Sequence, residues 1–173
     1  IILPKKTIFQ LSSLLDDYHG DVKICNIKSK IKFEFNDSIL VSKLIDGKFP
    51  NYMQVIPKNN EKKLEIELKS FLNSVDRVAS VSSDKKDGVK FELTKDFLNL
   101  SVNNPNSGNG KEQLEVKFNH EMNISFNSRY LLDVASQINS ENIIFYLNDT
   151  GSPALIKDSS DNDSIFIVMP MKA

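Results

Sequence analysis

The chain has 173 residues, of which 40% are hydrophobic and 26% are charged, a composition typical of a soluble globular protein rather than a disordered one. A formal net charge of −1 excludes a protein that binds nucleic acid through a large overall excess of Lys and Arg. A single cysteine and two histidines exclude an internal disulfide and a Cys/His metal cluster, and no apolar run is long enough for a membrane helix. We therefore expect a cytoplasmic protein with no cofactor, no bound metal and no membrane contact.

Three segments have the apolar spacing of amphipathic helices, each with one buried face. Residues 7–15, 67–81 and 127–138 are predicted to be helical. The side chains expected on the buried faces are Ile8, Leu11 and Leu15, then Phe71, Val75 and Val78, and finally Leu131, Val134 and Ile138.

Alternation of apolar and polar residues predicts strands around these helices. Strands are expected after the helices at residues 30–35, 89–93 and 143–147, and before the last two helices at residues 64–68 and 122–126. The order strand, helix, strands therefore recurs about every sixty residues. Two copies, from about residue 62 onwards, should form one α+β domain with helices on one face of antiparallel sheet, while the first copy should have its partner upstream of this chain.

No group of residues has the pattern of a catalytic site. Cys25 lies in a strand-like segment, residues 22–27, and is expected to be a packed core thiol rather than a nucleophile. Asp16 and Asp17 are expected next to a helix end at Gly20, where they would serve in capping rather than acid-base chemistry. We therefore expect no catalytic residue.

Two polar segments are predicted to be turns. Residues 103–110 are rich in Asn and Gly, and strand alternation rather than a helix follows them, which favours a hairpin loop over a phosphate-binding loop. Residues 158–164 carry carboxylates at short spacing but lack the central Gly and the terminal Glu of a calcium loop. A solvated turn between two strands is therefore expected there.

The C-terminal segment has an unusual pattern. A terminal strand that breaks at Pro170, between Met169 and Met171, would leave flexible apolar side chains near the surface. A last core strand with a frayed tail is the simpler alternative.

Three motifs, in order along the chain, resemble a known family. Residues 43–52 (KLIDGKFPNY) resemble the linker between the second and third domains of bacterial DNA sliding clamps, the beta subunits of DNA polymerase III. Residues 126–134 (FNSRYLLDV) are similar to the start of that family's last helix, and residues 168–172 (VMPMK) to its terminal strand. The resemblance implies the α+β DNA-clamp fold, with the C-terminal half of domain 2 and the linker at residues 1–56 and a complete domain 3 at residues 57–173.

The resemblance also implies a function. Members of this family are non-catalytic processivity factors whose homodimeric rings encircle duplex DNA without reading its sequence. They tether the polymerase III alpha subunit, clamp-loader subunits and repair proteins through short linear peptides. A small α+β metal- or ligand-binding domain using the carboxylates of residues 158–163, and a purely structural subunit, are the alternatives.

Carried over by motif, the resemblance assigns a peptide-binding pocket and a DNA-facing surface. The implied pocket residues are Pro50, Val55, Asn127, Tyr130, Gly151, Pro153, Ile167, Val168, Met169, Pro170 and Met171. The implied DNA-facing residues are Lys5, Lys6, Lys69, Arg77 and Arg129. Two positions depart from the family pattern, because Gln54 stands where a basic residue is common and Ala173 replaces a larger side chain. Val81 and residues 112–115 are candidates for the edge that joins two subunits.

Overall fold

The computed structural model describes residues 1–81, 88–161 and 163–171. The chain divides into two compact units, Ile1–Asn51 and Tyr52–Ala173. Within the described residues, no helix combines the length and apolarity that crossing a membrane would require.

The first unit consists of one helix, α1 (Lys5–Leu14), and three strands, β1 (Lys23–Ile27), β2 (Lys30–Phe35) and β3 (Ser38–Lys43). The strands form an antiparallel sheet with the order β1-β2-β3. The alternation predicted for β2 is confirmed, because Ile31, Phe33 and Phe35 are buried and form the core of this unit. Thr7 Oγ1 lies 2.6 Å from Ser42 Oγ, and this hydrogen bond ties the helix to the sheet.

Three expectations for the first unit are wrong. Ile8 is 46% exposed, and Thr7 occupies the buried position of α1 instead. The helix ends at Leu14 with Leu15 as its C-cap, so Gly20 lies too far along the chain to terminate it. Cys25 is only half-buried, because it lies opposite Lys32 in the β1–β2 pairing and therefore faces away from the core side chains of β2.

The first half of the second unit is built from a short 3₁₀ helix, η1 (Tyr52–Gln54), and from β4 (Lys62–Glu67), α2 (Leu68–Ala79), β5 (Gly88–Leu93), β6 (Phe97–Asn104) and β7 (Gly108–Glu115). Its second half is built from β8 (Met122–Asn127), α3 (Ser128–Ala135), β9 (Asn142–Leu147), β10 (Ala154–Asp158) and β11 (Ile165–Val168). In the described part of this unit the strands form two four-stranded antiparallel sheets, with the orders β11-β10-β9-β4 and β7-β6-β5-β8.

The two repeats of this unit exchange their first strands. Strand β4 leads into α2 of the first repeat but pairs with β9 of the second, and β8 leads into α3 but pairs with β5 of the first. Each repeat therefore completes the sheet of the other, so neither sheet forms from one repeat alone.

A shared aromatic core joins the repeats. The rings of Phe71 and Phe91, from the first repeat, meet those of Phe126 and Phe145, from the second, in edge-to-face contacts. The centroids of Phe91 and Phe126 are 5.3 Å apart, and those of Phe71 and Phe145 are 5.5 Å apart. Such pairs contribute about 0.5–1.5 kcal/mol each beyond the burial of their area.

Both helices of the second unit begin at a side-chain cap in the same position of the repeat. The carboxylate of Glu67 accepts hydrogen bonds from the N–H groups of Lys69 and Ser70 at 3.0 and 2.7 Å, and interactions with Ser70 and Lys69 lower the pKa of Glu67. The side chain of Asn127 accepts hydrogen bonds from the N–H groups of Arg129 and Tyr130. These caps satisfy backbone donors that a helix start otherwise leaves free.

Both predicted turns connect strands as expected. Residues 103–110 contain the turn of the β6–β7 hairpin, where Gly108 has a φ of 102°, a conformation that favours glycine. Residues 158–164 join β10 to β11, with Asn162 outside the described residues. Asp158 is buried rather than solvated, and its carboxylate accepts hydrogen bonds from the N–H groups of Asn139 and Ser160, both at 2.8 Å.

Candidate functional site

A groove of about 650 Å³ opens on the surface of the second unit. Residues 54–60 form one wall, and the opposite side includes Pro153, Ile167 and Met169. Val55 and Met169 are 54% and 61% exposed, so the groove presents apolar surface to solvent. Apolar concave surface with a few polar groups is the usual form of a ligand site.

Asn60 fixes the position of the first wall. Its Nδ2 donates hydrogen bonds to the carbonyl oxygens of Tyr146 and Pro153, both at 2.8 Å. The side chain therefore joins the segment before β4 to the end of β9 and to the turn before β10. Nothing in the sequence around Asn60 marked this role, because its partners lie 86 and 93 residues away.

Asp149 shapes the turn that borders the groove. Its carboxylate accepts hydrogen bonds from the N–H groups of Gly151 and Ser152 at 2.8 and 2.7 Å, and from Ser152 Oγ at 2.9 Å. These bonds, the one from Gly151 first, lower the pKa of Asp149. The turn that places Pro153 against the groove is thus held by a carboxylate that stays ionised at neutral pH.

The structure brings some of the implied pocket residues together and separates others. Val55, Pro153, Ile167 and Met169 line the groove, and Gly151 lies in the bordering turn. Gln54 also lines it, and Lys58 supplies a basic side chain nearby in the same wall.

Val168 does not belong to the groove surface. Its side chain is 4% exposed and lies in the core of the second unit. Side chains alternate along β11, so Val168 faces the core while its neighbours Ile167 and Met169 face the groove.

Met171 lies at a different place from Met169. Its N–H donates to the carbonyl of Ser125 at 2.7 Å, which forms a bridge to the edge of β8. Its sulfur packs so closely on Gly88 that a Cβ added there would lie 3.1 Å from it. Met171 thus lies against β8 and β5.

The other implied pocket residues are distributed as follows. Tyr130 is 56% exposed on α3, and the Asn127 side chain caps the same helix. Pro170 is half-buried between Met169 and Met171, and Pro50 is exposed in the first unit.

The implied DNA-facing cations are exposed, but one is already paired. Lys5, Lys6, Lys69 and Arg129 are exposed on or beside the helices. Arg77 instead donates from Nε and Nη2 to the two carboxylate oxygens of Glu112, both at 2.8 Å. This bond lowers the pKa of Glu112, and the fork geometry orients the guanidinium toward β7. The pairing leaves Arg77 less available to a phosphate than its sequence position implied.

Two family models match the chain. The one described as "DNA polymerase III beta subunit, C-terminal domain" matches residues 53–172, and "DNA polymerase III beta subunit, central domain" matches residues 1–51. The beta sliding clamp of Caulobacter vibrioides is 38% identical over 173 residues, a match that covers 99% of this chain and 46% of that protein. The chain thus spans about half the length of the curated relatives it matches.

Solved structures give the same result for the fold. The polymerase III beta structure from Caulobacter crescentus is 37% identical with a TM-score of 0.93, covering 100% of this chain and 47% of that one. A Bartonella birtlesii sliding clamp bound to griselimycin is 39% identical with a TM-score of 0.92, again covering 100% and 47%. These likenesses confirm the expected clamp fold, and with the family models they show that the chain belongs to the DNA polymerase III beta subunit family, the bacterial sliding clamps.

Proposed function

We propose that this chain is part of a non-catalytic processivity factor, a homodimeric ring that encircles duplex DNA and tethers replication and repair proteins. Family membership supports the class of function. The observation that carries the tethering role is the groove, because it presents Val55, Ile167 and Met169 to solvent at a site where a short peptide could bury apolar side chains. The role would place the protein in the cytoplasm.

The chemistry of the groove suits binding of more than one peptide. Met169 is unbranched and polarisable, so it can adapt to different side chains, while Lys58 and the amide groups of Gln54 and Asn59 offer polar contacts. We propose the peptide segments of the polymerase III alpha subunit, clamp-loader subunits and repair proteins as ligands. Contacts from Pro50, Asn127, Tyr130, Pro170 and Met171 stay predictions.

Binding to DNA is proposed to be topological and weak. A closed ring retains DNA without strong contacts, and few free cations release few counterions. With Arg77 paired to Glu112, the remaining candidates are Lys5, Lys6, Lys69 and Arg129. Sequence-independent sliding is consistent with this sparse set.

In the alternative metal-binding function, the carboxylates of residues 158–163 would hold the ion. Among the described residues, no group of three or more His, Cys, Asp or Glu side chains could hold a metal ion. Asp158 and Asp161 instead accept hydrogen bonds from backbone N–H groups of their own turn.

Calorimetric titration with a short peptide carrying Gln at its start and Leu and Phe near its end tests the proposal. We expect saturable binding that weakens about tenfold in Met169→Ala, since the variant removes apolar contact surface. Ile39→Ala, which changes an exposed apolar residue of the first unit, is the matched control and should bind as the unaltered chain does. No binding, or equal binding by both variants, would contradict the proposal.

A further inference from the structure

The outer edge of β4 carries backbone groups that point away from its sheet. In an antiparallel pair, hydrogen-bonded positions alternate with positions that are not bonded to the partner strand. The N–H of Leu68 donates to the carbonyl of Glu141 at 2.8 Å, which marks that position as a bonded one. Counting along the register, Lys63 and Glu65 are non-bonded positions, so their N–H and C=O groups point away from β9.

A cleft of about 560 Å³ runs along this edge. Lys63 and Glu65 form one side, and residues 115–117 with Asp96 and Phe97 form the other. Phe97 is 38% exposed and gives the cleft an apolar surface. The cleft shares no lining residue with the groove that contains Met169.

The second repeat shows what occupies the equivalent edge. The helix caps Glu67 and Asn127 hold equivalent positions, so Glu65 corresponds to Ser125, two residues before each cap. The carbonyl of Ser125 accepts a hydrogen bond from Met171, whose segment forms an isolated antiparallel bridge there. The fold thus covers one of its two equivalent edges with an extended segment of its own.

We propose that the edge of β4 binds an extended segment of a partner protein as an added antiparallel strand. The backbone groups of Lys63 and Glu65 would supply the hydrogen bonds, and an apolar side chain of the partner would pack on Phe97.

Charge and shape define the segment further. Lys63 Nζ pairs with Glu65 at 2.8 Å, which leaves two carboxylates, Asp96 and Glu115, beside Phe97. Lys117 is the other basic residue among the described residues that line the cleft. The segment is therefore expected to carry a basic residue next to its apolar one.

The second repeat also indicates which side chains fit. Gly88, in the strand next to β8, makes room for the Met171 sulfur. The equivalent position next to β4 is occupied by Asn142, whose Nδ2 donates a hydrogen bond to Glu65 at 3.2 Å. A small polar side chain fits that position better than methionine.

The probe is a blocked peptide of about eight residues in which Val or Leu alternates with Thr and one position is Lys, a length typical of a strand. Titrated into the isotope-labelled chain, it should shift the amide signals of Lys63 and Glu65 and slow their hydrogen exchange. N-methylation of the peptide amides that face β4 should abolish binding, whereas N-methylation of the alternate amides should not. Binding that is indifferent to which amides are methylated, or shifts confined to other regions, would overturn the proposal.

A matched pair of variants tests the same edge from the protein side. The N–H of Lys63 points outward, so Lys63→Pro leaves the β4–β9 ladder intact and removes one donor from the cleft. Asn123→Pro makes the same change at the equivalent position of β8. We expect the probe to bind about tenfold more weakly to Lys63→Pro, because this variant lacks the backbone donor, and with unchanged affinity to Asn123→Pro. Both variants should keep the affinity of the unaltered chain for the groove peptide, so this test is independent of the proposed tethering function.

Discussion

Replacing Asn60 by Ala tests how the groove is built. The variant removes an amide that donates to the carbonyls of Tyr146 and Pro153, both at 2.8 Å, and leaves both acceptors without that partner. A hydrogen bond of this kind contributes about 0.5–1.5 kcal/mol net, so losing two should lower the free energy of unfolding by about 1–3 kcal/mol. Urea unfolding followed by circular dichroism measures this change.

The same substitution should weaken peptide binding. Without the Asn60 bonds, residues 54–60 lose their attachment to the turn that ends at Pro153, so the wall that contains Val55 is no longer held in place. We expect the peptide dissociation constant to rise about tenfold, equivalent to roughly 1.4 kcal/mol. Asn59→Ala, at an exposed neighbouring asparagine, is the control for stability and should leave the unfolding free energy unchanged. If Asn60→Ala kept both the stability and the peptide affinity, the role assigned to this side chain would be refuted.

Three further predictions concern other parts of the chain. Met169→Ala should leave the melting temperature nearly unchanged, whereas Val168→Ala should cost roughly 2 kcal/mol of stability, because only Val168 faces the core; thermal unfolding separates them. Hydrogen bonds lower the pKa of Asp158, so the ionised carboxylate stabilises the fold above the ordinary carboxyl pKa of about 4, and this contribution is lost as the pH falls further. Asp158→Asn should therefore make the free energy of unfolding depend less steeply on pH in acid. Glu112→Gln should free Arg77 and steepen the salt dependence of duplex DNA binding by about one ion, measured by fluorescence anisotropy, while affinity for linear duplex stays weak at physiological salt.

Much of the local structure could be predicted from the sequence. Alternation located β2, because its buried and exposed residues are neighbours along the chain, and helical spacing located Phe71, Val75 and Val78 on the buried face of α2. Ile8 is exposed, although helical spacing predicts it to be buried, because the hydrogen bond from Thr7 to Ser42 turns the neighbouring face of α1 toward the sheet.

What the sequence did not reveal depends on contacts between distant residues. Alternation does not specify a partner strand, so the pairing of β4 with β9 was not predicted. The separation of Met169 from Met171 follows from the bridge to Ser125, which no local pattern encodes. The groove residues were implied by family motifs, whereas Asn60 and Asp149, which hold the groove together, belong to none of those motifs.

We propose that the full-length protein forms a ring that holds DNA by topology. The most direct measurement is retention of the full-length protein on circular duplex DNA, loaded with its clamp loader, before and after the circle is cut once. We expect stable retention on the circle and rapid loss after linearisation, because a ring slides off a free end. Equal retention on circular and linear DNA, with strong dependence on salt, would indicate direct electrostatic binding and would rule out a topological ring.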